Sequence, residues 1–147
     1  MARLEFMKVG RAVTSILFHS SYGAKQNNMK KFVLLIYQGP TPPIPGTDRW
    51  KALSEAEQKS IYADYAAFGN TPGVSDGLPL GLPEAAKTVQ VRNGKTDVRN
   101  GTYLAEGAAG YAVYEAESME AAVDLAARIP AARLGGAVEI RPADKYW

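Results

Sequence analysis

The sequence contains no cysteine, which excludes disulfides, thiolate zinc sites, iron–sulfur clusters and cysteine nucleophiles. It contains one histidine, His19, which leaves little for a histidine-built metal site or a Ser-His-Asp triad. Long apolar runs are missing too: no stretch approaches the roughly 18 residues of a membrane span, so no membrane contact is expected. Neither glycine pattern of the phosphate-binding loops, G-x-x-x-x-G-K-[ST] or G-x-G-x-x-G, lies between a strand and a helix, which argues against a nucleotide fold. Charge of one sign is also scarce, with 17 basic against 15 acidic residues. Residues 1–29 carry four basic residues against one acidic, and the rest of the chain 13 against 14. A near-neutral domain of this kind has no electrostatic footprint for nucleic acid. What is present is 147 residues, 46% apolar and 22% charged. That is the balance of one globular domain, able to hide roughly 70% of its unfolded surface.

The first 28 residues read differently from the rest. Ala12-Val13-Thr14-Ser15-Ile16-Leu17-Phe18 follows two basic residues as a short h-region follows an n-region. The run is short, is broken by Thr14 and Ser15, and has no A-x-A site after it, so it matches a secretory signal poorly. Met29-Lys30-Lys31 stands directly before a strong strand and is expected to be the natural start. Residues 1–28 are then an N-terminal extension, residues 29–147 the domain, and the expected compartment is the cytoplasm.

Phe32-Val33-Leu34-Leu35-Ile36-Tyr37 is a continuous run of β-formers and predicts a central strand apolar on both faces. Ser54-Glu55-Ala56-Glu57 is a capping box. The helix it opens should present Ile61, Tyr65 and Phe68, with Tyr62 and Ala66, and end before Gly69-Asn70-Thr71-Pro72. A strand near Val74 to Leu80 is only weakly signalled among glycines and prolines. Thr88 to Arg92, Asn93-Gly94 and Lys95 to Val98 predict a hairpin with a type I′ turn. Gly110 to Ala116 is a further strand. Ser118 caps a second helix with a stripe of Ala122, Val123, Ala126 and Ile129, stopped by Pro130. Ala137 to Arg141 is the last strand.

This order suits an α+β fold: a ferredoxin-like split βαβ sandwich with an extra β-hairpin. Two helices cover only one face of such a sheet, whereas Phe32 to Tyr37 is apolar on both, so a second cover is needed. A homodimer with two sheets packed across a two-fold axis supplies it, and residues 1–28 folding over the sheet is the competing explanation.

The run Ala127-Arg128-Ile129-Pro130-Ala131-Ala132-Arg133-Leu134-Gly135-Gly136-Ala137-Val138-Glu139-Ile140-Arg141-Pro142 resembles the C-terminal signature of the YCII-related, DGPF-type proteins. Met29 to Tyr37 is similar to their first strand, Trp50 with Leu53 to Glu57 to the start of their first helix, and Thr88 to Arg92 with Gly94 to their hairpin. The resemblance covers most of 29–142 and implies a subunit of a dimeric α+β barrel with a cleft at the barrel mouth. In place of the Asp-Gly-Pro-Phe motif this chain has Asn100-Gly101-Thr102-Tyr103. The His-Asp pair proposed for some relatives is not carried over, because 29–147 holds no histidine. His19, the counterpart in type of a haem ligand in some barrel relatives, lies outside the resembling region.

Two carboxylates are candidate catalytic bases, Glu106 and Asp76, each of which is otherwise a solvated loop acid. Asn100 either orients a ligand or tolerates a left-handed turn before Gly101. Tyr37, Tyr103, Tyr111 and Tyr114 sit on or beside strands, where phenols line a cleft or pack the sheet. Tyr111 and Tyr114 point to opposite faces, so at most one of them faces a cleft. Among Arg92, Arg133 and Arg141, Arg133 near Gly135-Gly136 is the candidate for binding a carboxylate or phosphate, against a surface salt bridge. Tyr37, Asn100, Tyr103, Tyr111 and Arg133 are thus the candidate ligand-binding set, with no metal and no cofactor expected. Two functions are compatible with this inventory. The first is a dimeric small-molecule-binding or accessory protein. The second is a cofactor-independent enzyme acting on a small polar organic substrate with a carboxylate base.

Overall fold

The structure, a computed structural model, describes residues 28–145. The readings of Ala12 to Phe18 and of His19 therefore lie outside the described residues. Strand β1 (Lys30–Tyr37) is followed by a short helix α1 (Asp48–Lys51) and by α2 (Glu55–Gly69). Next come β2 (Val74–Pro79), a 3₁₀ turn at Pro83–Ala85, and the hairpin β3 (Lys87–Arg92) and β4 (Lys95–Asn100). The chain closes with β5 (Gly110–Ala116), α3 (Met119–Ala126), α4 (Pro130–Arg133) and β6 (Ala137–Pro142). No helix among the described residues is long and apolar enough to cross a membrane.

The four-stranded sheet has the order β2-β5-β1-β6, and every neighbouring pair is antiparallel. β1 and β2 both flank β5 and so run parallel to each other, as do β5 and β6 about β1. Each parallel pair is therefore joined through a helical crossover, giving a mixed α+β domain. The expected strand near Val74 is present, with a register shift between Ser75 and Leu78. The hairpin forms a separate two-stranded sheet.

Alternation along β1 decides which face holds the core. Phe32, Leu34 and Ile36 are buried under the helices, where Leu125, Ile129 and Ala131 meet Leu34 and Ile36. Each such side chain contributes roughly 1.5–3 kcal/mol relative to exposure. Val33 and Leu35 point to the other face, paired with Val113 and Tyr111 of β5, and are only half-buried. The helices all pack on the Leu34 face, so the strand expected to be buried on both sides is sealed on one.

The capping box forms as predicted. Ser54 Oγ accepts from the Glu57 N–H at 3.3 Å, and the Glu57 carboxylate accepts from the Ser54 N–H at 2.8 Å. On α2, Ile61 is buried and Tyr65 and Phe68 pack on the core, but Ala66 is exposed. Tyr62 instead meets Trp50 of α1 edge-on, with ring centroids 5.2 Å apart. On α3 the buried stripe is Ala122, Leu125 and Ala126, while Val123 is turned to water. That is the i, i+3, i+4 face of a helix, and Val123 lies about 100° off it. Pro130 does more than stop the helix: it occupies the first turn of α4, where its missing N–H is not needed.

Candidate functional site

The chain builds a cleft where β1 ends and β5 begins. Two backbone bonds fix that corner: Ala109 N–H donates to Ile36 O at 2.7 Å, and Leu80 N–H donates to Ala109 O at 2.8 Å. One wall is the segment after β2, carrying Leu80, Leu82 and Pro83. A second is the base of the hairpin, with Lys87, Thr88 and Val89, and a third is the loop from Thr102 to Ala108. Tyr37 at the end of β1 reaches the cleft from the sheet. The cleft is open to solvent and has a volume of about 900 Å³.

The hairpin is anchored at this base. Asn93 (φ 51°) and Gly94 (φ 73°) both take left-handed backbone, the conformation a type I′ turn requires. At the other end Gly101 N–H donates to Ala86 O at 2.8 Å, and Thr88 Oγ1 donates to Gly101 O at 2.8 Å. Thr88 is a buried polar residue, and this bond satisfies its hydroxyl. The following loop is held by Arg99, whose guanidinium donates to Tyr103 O at 2.8 Å and lies 5.7 Å from the centre of the Tyr103 ring. Thr102 Oγ1 donates to Leu104 O at 2.6 Å. These contacts place Tyr103 and Leu104 at the rim with their side chains in water.

Of the residues singled out in the sequence, the cleft brings together Tyr37, Tyr103 and Glu106. Asn100 lies on β4 just outside it. Its backbone is strand, not left-handed turn, and its amide oxygen accepts from Lys87 Nζ across the hairpin. Tyr111 is elsewhere, in a second groove of about 550 Å³ beside Phe68, Leu78 and Pro79. Arg133 sits in the helical layer, where α4 is tied to α2 by its ion pair with Asp64. Asp76 belongs to β2 by its backbone, and its side chain lies outside the described residues. Leu80, Leu82, Lys87, Thr88 and Leu104 complete the walls. The signal for Leu80 and Leu82 is a Leu-Pro-Leu-Gly-Leu-Pro segment too apolar for a solvated loop, and Lys87, Thr88 and Leu104 carry no local mark of a site.

Two ionisations are shifted in the helical layer. Burial pushes the Tyr65 phenol above its ordinary value, against the weaker pull of the Ala131 backbone and the Arg133 guanidinium. The Ser54 hydroxyl and the Ser54 backbone hold the Glu57 carboxyl below the usual range. The cleft walls are mostly apolar, and the polar residues among them are Tyr37, Lys87, Thr88, Gln90, Thr102, Tyr103 and Glu106. Among the described residues no cluster of three His, Cys, Asp or Glu side chains could hold a metal ion. Such a cleft can bury the body of a small organic molecule and orient it with a few hydrogen bonds.

A family model, the YCII-related domain, matches residues 10–144, which takes in every strand and helix described and begins inside the stretch 1–28. No curated protein matches the chain.

Proposed function

Because the chain belongs to the YCII-related family, we propose that it is a small-molecule-binding protein that acts as a homodimer and holds its ligand in the cleft beside the hairpin. The observation that carries this reading is the cleft itself. At about 900 Å³ it falls within the roughly 300–1,000 Å³ of ordinary ligand sites, and it has their chemistry of apolar walls with a few placed polar groups. The sheet order β2-β5-β1-β6 with helices on one side supports reading the subunit as a ferredoxin-like split βαβ unit. The half-buried Val33, Leu35, Tyr111 and Val113 support a dimer in which two such sheets meet face to face as an α+β barrel.

A thermal-shift screen of small organic acids, amines and neutral aromatics tests the binding reading. A ligand at a hundred times its Kd stabilises the fold by about 2.7 kcal/mol, so a hit raises Tm. Leu104→Asp, which places a charge on the apolar rim, abolishes the shift. A wild-type protein that no compound stabilises contradicts the proposal. The position of Glu106 in the same cleft as Tyr37 and Tyr103 favours one second reading, an enzyme with Glu106 as base. Glu106→Gln separates the two: a binding protein keeps its affinity within a small factor, whereas an enzyme loses turnover.

A further inference from the structure

In the Leu-Pro-Leu-Gly-Leu-Pro segment the leucines recur at every second residue, and Leu78, Leu80 and Leu82 are 60%, 47% and 59% exposed. Leu80 and Leu82 stand on the wall of the cleft, whereas Leu78 belongs to the groove beside Phe68. Between the two lies a hollow of about 210 Å³, which shares Leu80, Leu82 and Ala108 with the cleft and Gln38, Pro79 and Ala109 with the groove. β2 runs to Pro79, Leu80 N–H still bonds to Ala109 O, and Leu82 has extended backbone at φ −60° and ψ 151°. Such a chain covers roughly 13 Å from Leu78 to Leu82, at about 3.3 Å per residue. Cleft, hollow and groove therefore follow one another along one leucine-bearing edge.

Charge is confined to one end of that edge. Lys87 and Glu106 are the charged residues of the cleft, and neither the hollow nor the groove has any. The groove instead borders the core at Ile36, Tyr65, Phe68 and Val74. Ile36 is on the Leu34 side of the sheet, so two sheets meeting through Val33 and Leu35 would leave the groove open. An occupant matched to this gradient is polar at one end and apolar along the rest. Apolar surface gains by leaving water for the groove. A charged group carried there would lose its hydration with no charge to pair it.

We propose that the protein binds a linear amphiphile, a single alkyl chain ending in a polar group, with the polar end in the cleft and the chain laid over Leu80 into the groove between α2 and β2. This rests on the reading of the cleft as a ligand site. Straight-chain carboxylates and alkylamines, each below its aggregation concentration, are titrated into the full-length protein by calorimetry. Both head groups are used because Lys87 and Glu106 are of opposite sign. Kd is expected to fall about fourfold for each added methylene, the equivalent of burying one CH₂. A long-chain member with a diazirine at the end of its chain should photolabel the peptides that contain Tyr65 to Gly69 and Val74 to Pro79. Three results overturn the proposal and leave the cleft reading standing, provided that other compounds of the thermal-shift screen raise Tm. They are a series that does not bind, an affinity independent of chain length, and a terminal label confined to the hairpin and the loop from Thr102 to Ala108. Protein that binds neither this series nor any compound of the screen overturns both readings. Attachment to phosphatidylcholine vesicles without saturable uptake of the monomeric chains assigns the leucines to a membrane surface and also overturns the proposal.

Discussion

In the four-stranded body, Phe32, Leu34, Leu125 and Ile129 are sealed between sheet and helices, whereas Leu80, Val91 and Leu104 stand in water a short distance along the same chain. Both regions are well formed, with satisfied turns and caps, so the contrast is not one of order against disorder. The body spends its apolar residues on its own stability. The hairpin and the cleft walls leave theirs exposed, available for contacts made after folding. Patches of exposed apolar surface on a folded domain ordinarily mark such contacts.

The contrast can be sharpened by substitution. Leu34→Ala empties a fully buried position and is expected to cost about 3 kcal/mol in urea denaturation. Val91→Ala, measured at dilution sufficient to hold the monomer, should change unfolding by less than about 0.5 kcal/mol. Equal costs at the two positions would break the distinction between body and arm. Gly136→Ala probes the joint between the start of β6 and the end of β1, whose Tyr37 lines the cleft: a Cβ there would run into the Tyr37 carbonyl oxygen. Backbone at Tyr37 and Gln38 must then shift, with an expected cost of about 2 kcal/mol and a weakened ligand response in the thermal-shift screen. Stability lost with the ligand response intact would show that the joint serves the body alone.

Smaller effects test the helical layer. Ser54→Ala removes the cap of α2 and should cost about 1 kcal/mol. The pH dependence has a definite sign at each end. Glu57 is held below the carboxylate range, so its contribution is present above about pH 4.3 and disappears as pH falls through the folded value. Ser54→Ala should flatten that acid limb. Tyr65 is pushed up by burial, so stability holds below about pH 10 and declines as pH rises through the folded value. Tyr65→Phe should flatten the alkaline limb and leave the acid one unchanged.

What was legible in the sequence follows the same division. Local chemistry located the hairpin turn at Asn93-Gly94, the capping box at Ser54 and Glu57, and each strand with an alternating or continuous apolar pattern. The stripe of α3 holds at Ala122, Ala126 and Ile129 but takes Leu125 in place of Val123, since small alanines leave the edge of an apolar face for packing to decide. The cleft was half legible. Tyr37, Tyr103 and Glu106 were marked by residue type and loop position, whereas Tyr111 and Arg133 carry equally good types at places the topology sends elsewhere. Lys87 and Asn100 meet only because the hairpin register pairs them. Thr88 and the leucines of the wall acquire meaning through long-range bonds, such as Thr88 to Gly101 and Leu80 to Ala109, that no local pattern announces.

The central claim is the one proposed above, that a second copy covers the half-buried face of the sheet and that the cleft holds a small molecule. Native mass spectrometry of the purified full-length chain tests it most directly, because one spectrum reports subunit number and any bound mass. The account predicts a dimer at low micromolar concentration, carrying a removable small molecule or gaining one when a compound from the thermal-shift screen is added. A bare monomer that takes up no compound would contradict it.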